Sequence, residues 1–313
     1  MNLLKIIMSI VLLSAAHAQA QSLEESETYW RNEVVRYCGA TPSKEDCDDG
    51  DSIIFNGLLC MSGEEAACSA VQASQDENGQ FWRSPRRNPG NLGQDNSFSR
   101  DQTLGALLYI VKKRDVDAAQ RWLSWINDNK TCSIKNPFNS KACILHLYRV
   151  CRDDTDGRCT MTPATWALFK RVWDFLGLPA HKEMNKHETL DVGDLEIETA
   201  EREPRGYTLH LKAVSSFLRL TMQSSVERSR LIASKVYNRD QGNPFFQLLV
   251  EGPSSQVVDK VLAYCPKPGQ NNEFRRFQWS WERDSDQQPW LESMGWDCVF
   301  MANMIHNYGS ILP

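Results

Sequence analysis

A long loop early in the chain combines aromatic, cationic and carboxylate side chains within a short stretch of sequence. It covers residues 76–98 and leads into a helix that is expected to open at residue 99. An indole can stack on the apolar face of a sugar ring, and a guanidinium can bind a carboxylate or a sulfate through two hydrogen bonds. Long loops that carry such residues usually serve a function. The side chains of interest are Trp82, Arg83, Arg100 and Asp101.

Asp101 has two interpretations of equal weight. A carboxyl group at a loop–helix junction can act as a general acid or base in catalysis. Ser99 and Gln102, however, have the spacing of a capping box, and a carboxylate in the first helical turn is favoured by the helix dipole. The sequence leaves both interpretations open.

A second loop, at residues 277–297, repeats the same combination of side chains before another helix. The chain has 10 tryptophans in 313 residues, and several of them lie in these two loops rather than on apolar helix faces. Flat indoles exposed in loops are typical of clefts that bind carbohydrate. The side chains of interest in the second loop are Trp279, Trp281, Arg283 and Asp284.

Together the two loops predict a secreted enzyme that cleaves a glycan. Its substrate would be a polysaccharide or an oligosaccharide. Hydrolysis of a glycosidic bond needs two carboxyl groups, one protonated and one ionised, on either side of the bond. We expect Asp101 and Asp284 to be this pair, with Asp286 and Asp297 in reserve. The tryptophans would form the sugar platform and the arginines would hold an acidic sugar. The prediction requires both loops to fold onto one rim of the protein.

Two alternatives use the same residues differently. A polysaccharide lyase would neutralise a uronate with an arginine or asparagine and abstract a proton with a histidine or tyrosine; His146, His210 and Tyr109 are candidates for that base. A non-catalytic extracellular or periplasmic protein that binds a glycan or another protein would need the same indoles and guanidiniums, but no paired carboxylates.

Other kinds of site are not indicated by the sequence. It contains no nucleophile elbow, phosphate-binding loop or dinucleotide fingerprint, and it lacks the closely spaced cysteine pairs of a zinc site. We therefore expect no metal and no cofactor. A net charge of −5 disfavours nucleic acid as a partner, and no apolar stretch after the N-terminus reaches membrane length, so we expect no membrane partner either.

The N-terminus and the cysteines predict export. Residues 1–20 have a charged start, a short apolar core and small residues at the cleavage position, as in a signal peptide. Ten cysteines follow, an even number that suits an oxidising compartment such as the periplasm or the extracellular space. Pairing each cysteine with its neighbour in sequence gives the bridges 38–47, 60–68, 132–143, 151–159 and 265–298. The second bridge requires a break at Ser62–Gly63, because a straight helix would hold those sulfurs about 12 Å apart.

Helical periodicity dominates the mature chain, which we expect to form a single domain over residues 21–313. Helices are predicted from residues 52, 64, 99, 117, 163, 207, 226, 245, 254 and 292 onwards, with almost no strand signal. Thr162 and Pro163 are a good N-cap and first-turn pair. The acidic segment 181–206 is predicted to be a loop or a small hairpin that leaves the helical body.

Serial helical hairpins with aromatic, arginine and aspartate side chains at loop–helix junctions resemble the α/α-toroid group of glycan-active proteins. The segments that carry the resemblance are W-R-S-P at 82–85, S-R-D-Q at 99–102, N-P-F-F at 243–246 and S-M-G-W-D at 293–297. The resemblance covers residues 45–310 and is one of architecture. It implies an all-α toroid, complete or incomplete, with acid/base residues and aromatic side chains at one rim, and it transfers no catalytic residue from a particular family.

Overall fold

The protein is described here from a computed structural model. The structure describes residues 23–44, 47, 49–88, 98–152, 157–186, 192–270, 279–282 and 293–312. The predicted signal peptide, the loop residues 89–97 and the segment 283–292 lie outside these ranges. Asp284, Arg283 and Asp286 therefore lie outside the described residues.

The N-terminal half of the described chain alternates helices with two small hairpins. Helix α1 covers residues 23–34, and its last five residues, Trp30–Val34, are π-helical. The elements that follow are β1 (Arg36–Cys38), β2 (Thr41–Ser43), α2 (Ser52–Ser62), α3 (Glu65–Ala73), α4 (Arg100–Lys113), α5 (Val116–Asp128), β3 (Thr131–Asn136) and β4 (Asn139–Leu147). Short 3₁₀ turns form at Pro85–Arg87 and Gly157–Cys159.

The C-terminal half is a run of helices. Its elements are α6 (Pro163–Leu176), α7 (Lys182–Lys186), α8 (Val192–Arg202), α9 (Tyr207–Thr221), α10 (Val226–Arg239), α11 (Pro244–Glu251), α12 (Ser255–Tyr264), the 3₁₀ turn Ser280–Glu282, α13 (Trp296–His306) and α14 (Tyr308–Ile311). The predicted mainly helical fold is confirmed.

Local sequence explains where several helices begin and end. Thr162 Oγ1 accepts a hydrogen bond from the backbone N–H of Thr165, and Pro163 occupies the first turn of α6. Gly177 ends α6 with φ of +70°, and Gly63 ends α2 with φ of +116°, a left-handed conformation that costs glycine little. The predicted break between α2 and α3 is thus present.

The expectation of an all-α chain holds only approximately, because two antiparallel hairpins interrupt the helices. In the first, β1 pairs with β2 so that Arg36 faces Ser43. In the second, β3 pairs with β4 around a turn at Pro137 and Phe138, with several shifts of register. The second hairpin was missed in the sequence because its apolar residues do not alternate strictly with polar ones.

The predicted loop or hairpin at residues 181–206 was wrong, since most of the described part of this segment is helical. Helices α7 and α8 occupy it, and α8 packs against α9 and α10. Ile197 is half-buried and Ala200 is fully buried, three residues apart on one helix face. The alternation of leucine and isoleucine with glutamate at 195–198 therefore belongs to an amphipathic helix, whose period it matches about as well as that of a strand.

The five disulfide bonds predicted by pairing sequence neighbours are confirmed. They join Cys38 to Cys47, Cys60 to Cys68, Cys132 to Cys143, Cys151 to Cys159 and Cys265 to Cys298. Four of them close loops of 8 to 11 residues, and the fifth ties the end of α12 to the start of α13 across 33 residues. Such bridges are typical of chains that fold in an oxidising compartment. None of the helices in the described ranges is long and apolar enough to cross a bilayer.

Buried and half-buried helices alternate from α2 to α5. Every residue of α2 is buried, as are residues 102–111 of α4 and residues 296–304 of α13. The helices that follow α2 and α4 in sequence, α3 and α5, bury only one face. Helix α13 contacts α2, so the last buried helix of the series lies against the first.

Helices α2 and α4 meet at two glycines. A methyl group on Gly57 would overlap the backbone carbonyl of Gly105, and one on Gly105 would overlap the backbone of Ile53 and Ile54. The absence of side chains at these two positions lets the helix backbones touch. This contact fixes the relative positions of the loop–helix junctions at which α2 and α4 begin.

Replacing Gly105 by alanine is expected to destabilise the protein by about 2–3 kcal/mol, because the new methyl group has to push two backbones apart. The matched control is Gly309→Ala in α14, where a methyl group would meet no atom within 4 Å. Denaturant unfolding of both variants measures the difference. Equal stability of the two variants would show that the helices do not pack as closely as described.

Candidate functional site

The first component of the site is Asp51, which immediately precedes α2. Its backbone is left-handed, with φ of +57°, a conformation that non-glycine residues adopt rarely and aspartate more often than most. One of its oxygens, Oδ1, accepts a hydrogen bond of 2.6 Å from Nε2 of Gln102 and lies 3.4 Å from a guanidinium nitrogen of Arg83. The side chain of Asp51 is 36% exposed, so the carboxylate is anchored from two sides and still open to solvent.

The second component is Asp101, the second residue of α4. The hydroxyl of Tyr207, the first residue of α9, donates a hydrogen bond to its carboxylate. Partial burial raises the pKa of Asp101, and the neighbouring Asp51 raises it further, while Tyr207 and two arginines act in the opposite direction. Asp101 therefore holds its proton more readily than an ordinary aspartate.

The third component is Glu282, in the 3₁₀ turn Ser280–Glu282 that packs against α9. It is 4% exposed, and this burial raises its pKa well above the usual range, with Asp51 and Asp297 adding to the effect and Lys44 opposing it. Burial to this depth favours the protonated form of the carboxyl group, because desolvation penalises its charged form.

Glu282 lies beside a buried histidine. Nε2 of His210 is 3.6 Å from Oε1 of Glu282, and the histidine is 1% exposed. Burial lowers the pKa of His210 to about 3. Burial thus favours the uncharged form of both groups, which makes the contact one between a carboxylic acid and an uncharged imidazole rather than an ion pair. Neither His210 nitrogen has a hydrogen-bond partner among the described residues, nor does Oε1 of Glu282.

Tyr207 couples the three carboxyl groups. Burial raises the pKa of its phenol, and the negative charges of Asp51 and Asp101 raise it further, as Glu282 does when it ionises, so the hydroxyl keeps its proton and acts as a donor. The four residues come from the starts of α2, α4 and α9 and from the 3₁₀ turn. We call Asp51, Asp101, Tyr207 and Glu282 the carboxyl cluster.

Asp101 also lines a surface pocket of about 320 Å³ between α4, α6 and α9. The residues around the pocket include the cationic side chains of Arg100 and Lys212 and the carboxylate of Glu203. Hydroxyl groups come from Thr162, Thr165, Thr208 and Ser215, and apolar side chains come from Leu104, Ala164, Leu168 and Leu211. A pocket with hydroxyls, two cations, one carboxyl of raised pKa and an apolar wall suits a ligand that has both polar and apolar faces.

The predicted tryptophan platform was wrong for Trp279 and Trp281. They are 0% and 2% exposed, and their indoles fill the protein core. Trp279 packs edge-on against Phe55 and Phe300, and Trp281 lies against Tyr264. These indoles anchor the 3₁₀ turn that carries Glu282, so they position the site from within and present no face to a sugar.

The other predicted site residues divide into two groups. Arg100 and Asp101 do line one pocket. Trp82 is half-buried and donates its indole N–H to Asp76, and Arg83 is buried and lies against Asp51. Arg83 thus holds a carboxylate of the protein itself.

Three residues of the cluster were not among the predicted site residues. Asp51 belongs to an acidic run, and charges that favour the start of a helix are the preferred explanation of that run from the sequence. Tyr207 opens a predicted helix without any motif. Glu282 lies two residues before the predicted Asp284, and no periodicity in this segment indicates which carboxyl group points inward.

Comparison with known proteins gives no further assignment: no protein-family model matches the chain, and neither a curated protein nor a solved structure shows significant similarity to it.

The raised pKa of Glu282 predicts how stability depends on pH. The unfolded chain ionises this group near pH 4.3, whereas the folded protein keeps it protonated to a much higher pH. Its contribution to stability is thus complete below pH 4.3 and is lost as the pH rises towards the folded pKa, by roughly 1 kcal/mol per pH unit.

Glu282→Gln removes this loss because glutamine does not ionise. Between pH 5 and pH 8 the free energy of unfolding of the variant should rise relative to that of the wild type. Glu33→Gln, a change at an exposed position of α1, is the control and should follow the wild type. Parallel curves for wild type and Glu282→Gln would show that Glu282 is charged in the folded protein.

Proposed function

We propose that the protein is a secreted enzyme that hydrolyses a glycan, with Asp101 as the proton donor and Asp51 as the second carboxylate. The observation that carries the proposal is a carboxyl group of raised pKa that lines an open pocket and interacts with a second, anchored carboxylate. Glycoside hydrolysis needs one acid that holds its proton near neutral pH and one ionised carboxylate nearby. The buried Trp279 and Trp281 do not support this proposal, which rests on the carboxyl groups alone.

The roles of the two carboxyl groups follow from their surroundings. Asp101 has its pKa raised by burial and by Asp51, which suits it to protonate the oxygen of a leaving sugar. Asp51 receives N–H groups from Gln102 and Arg83, an arrangement that orients an ionised carboxylate for attack on the sugar or for activation of a water molecule. Asp284 remains the predicted partner from the sequence and lies outside the described residues.

The cations around the pocket favour an acidic sugar as substrate. Arg100 and Lys212 line the pocket, and Arg158 is close enough to Asp101 to lower its pKa. A guanidinium binds a uronate or a sulfate ester through paired hydrogen bonds. The substrate class we propose is therefore an acidic polysaccharide or oligosaccharide.

Hydrolysis fits the site better than lyase chemistry does. A lyase needs a histidine or tyrosine that reaches the substrate and accepts a proton. His210 is 1% exposed, and the hydroxyl of Tyr109 is bound to Asp115 near the other end of α4. His146 lies on β4, in the second hairpin.

The proposed architecture is an α/α toroid, complete or incomplete. Its support is the alternation of buried with half-buried helices from α2 to α5 and the contact between α13 and α2, which brings the last buried helix back to the first. In such an arrangement the loop–helix junctions of the inner helices lie at one rim. The starts of α2, α4 and α9, which supply Asp51, Asp101 and Tyr207, meet in this way.

Asp101→Asn is expected to lower the rate of hydrolysis by about a hundredfold or more, because asparagine cannot donate the proton that the leaving sugar needs. Release of reducing ends from a panel of acidic polysaccharides measures the rate. The matched control is Asp117→Asn, because Asp117 is also the second residue of its helix, yet it is exposed and does not line the pocket. Asp117→Asn should keep the wild-type rate. The loss of rate in Asp101→Asn is then not a general effect of removing a carboxylate from the first turn of a helix.

Three results would contradict the proposal. Unchanged turnover in Asp101→Asn would remove this residue from the mechanism. Products with unsaturated ends, detected by their ultraviolet absorbance, would indicate a lyase. Binding of polysaccharide without any cleavage would favour the alternative of a non-catalytic extracellular or periplasmic glycan-binding protein.

A further inference from the structure

The second hairpin, formed by β3 and β4, is exposed to solvent although it carries several large apolar side chains. Five of the six residues of β3 are exposed and the sixth is partly exposed, so the strand is not covered by the helical body. The bridge between Cys132 and Cys143 joins the two strands and keeps the hairpin together independently of that body. The hairpin is thus a stapled arm rather than a part of the core.

Most large apolar side chains that are exposed in the described ranges lie on this arm. Phe138, at the turn, is 97% exposed. The other exposed large apolar side chains on the arm are Ile134 at 50%, Ile144 at 60%, Leu145 at 46% and Leu147 at 37%. A concentration of apolar surface on one projecting element indicates an interaction site, because isolated surface residues would be scattered.

The charge of the arm is the opposite of that of the whole chain. From residue 131 to residue 147 the sequence contains two lysines and no acidic residue, whereas the whole protein has a net charge of −5. Lys135 and Lys141 are exposed on either side of the turn and make no ion pair with a described residue. The arm therefore presents an exposed phenylalanine at its tip and a lysine on either side of the turn.

We propose that this arm docks the protein on an anionic lipid surface, with Phe138 inserted among the headgroups and Lys135 and Lys141 paired with lipid phosphates. An apolar tip that enters the boundary between headgroups and acyl chains, with basic residues at headgroup level, is how peripheral proteins bind such membranes. The expectation that no membrane is a partner rested on the absence of a spanning segment and does not apply to docking of this kind.

The observations favour a lipid surface over the other candidate occupants. A hydrated polysaccharide would satisfy the lysines but would leave Phe138 in water. A symmetric contact between two copies through this hairpin would bring two cationic arms together, and like charges at an interface oppose binding. A surface that is both anionic and apolar within a few ångströms of its boundary satisfies both features of the arm.

The test is co-sedimentation of the protein with vesicles. Vesicles of phosphatidylglycerol mixed with phosphatidylcholine should bind the wild type, and pure phosphatidylcholine vesicles should bind it at least about tenfold more weakly. Lys135→Glu/Lys141→Glu should reduce binding to the anionic vesicles more than about tenfold, and Phe138→Ser should reduce it about tenfold or more. Raising the salt concentration should weaken wild-type binding.

Matched controls separate the arm from general surface properties. Lys112→Glu changes an exposed lysine at the end of α4, and Leu231→Ser changes an exposed leucine on α10; both should bind as the wild type does. Because the substituted residues are exposed, each variant should keep the wild-type unfolding temperature, which shows that the fold is intact.

The proposal is overturned if the wild type binds neither kind of vesicle, or if it binds both equally. It is also overturned if the arm variants bind as well as the wild type, or if light scattering shows a dimer that Phe138→Ser dissociates. None of these outcomes depends on the proposed hydrolase activity, which is measured separately.

Discussion

The close contact of α2 and α4 at Gly57 and Gly105 is the constraint on which the site depends. With no side chain between them, the two backbones touch, and the starts of both helices are held side by side. Helix N-termini carry a partial positive charge that favours carboxylates. Asp51 and Asp101 occupy these two positions, close enough for Asp51 to raise the pKa of Asp101. Bulkier residues at the crossing would separate the helix starts and with them the two carboxyl groups.

Burial then distinguishes carboxyl groups that have the same intrinsic chemistry. Glu282 is enclosed by the core, which raises its pKa strongly, Asp101 is partly enclosed and holds its proton more tightly than usual, and Asp51 is open to solvent and anchored by N–H groups. Tyr207 donates to Asp101, and the charge of Asp51 also acts on it. The cluster can therefore keep a proton at the pocket while a carboxylate remains beside it, which is the combination that acid–base chemistry requires.

Local sequence predicted the features that depend on local interactions. Neighbouring cysteines formed the five bridges, and capping residues such as Thr162 and Gly177 marked the ends of helices. The direction in which a side chain points from an irregular segment depends on distant contacts and could not be predicted. Trp281 was expected at the surface and lies in the core, because the turn before α13 folds inward against α9. The same inward fold buries Glu282 beside α9, and no sequence motif identifies this residue.

The central claim is that Asp51 and Asp101 interact directly at the paired helix starts. The most direct measurement is a titration of the side-chain carboxyl carbon of Asp101 by NMR in the wild type, in Asp51→Asn and in Asp49→Asn. The account predicts that Asp101 titrates above the ordinary aspartate range, that Asp51→Asn lowers its pKa, and that Asp49→Asn leaves it unchanged, since Asp49 is held by Arg87 and Ser84. An ordinary pKa for Asp101 in the wild type, or the same pKa in wild type and Asp51→Asn, would contradict it.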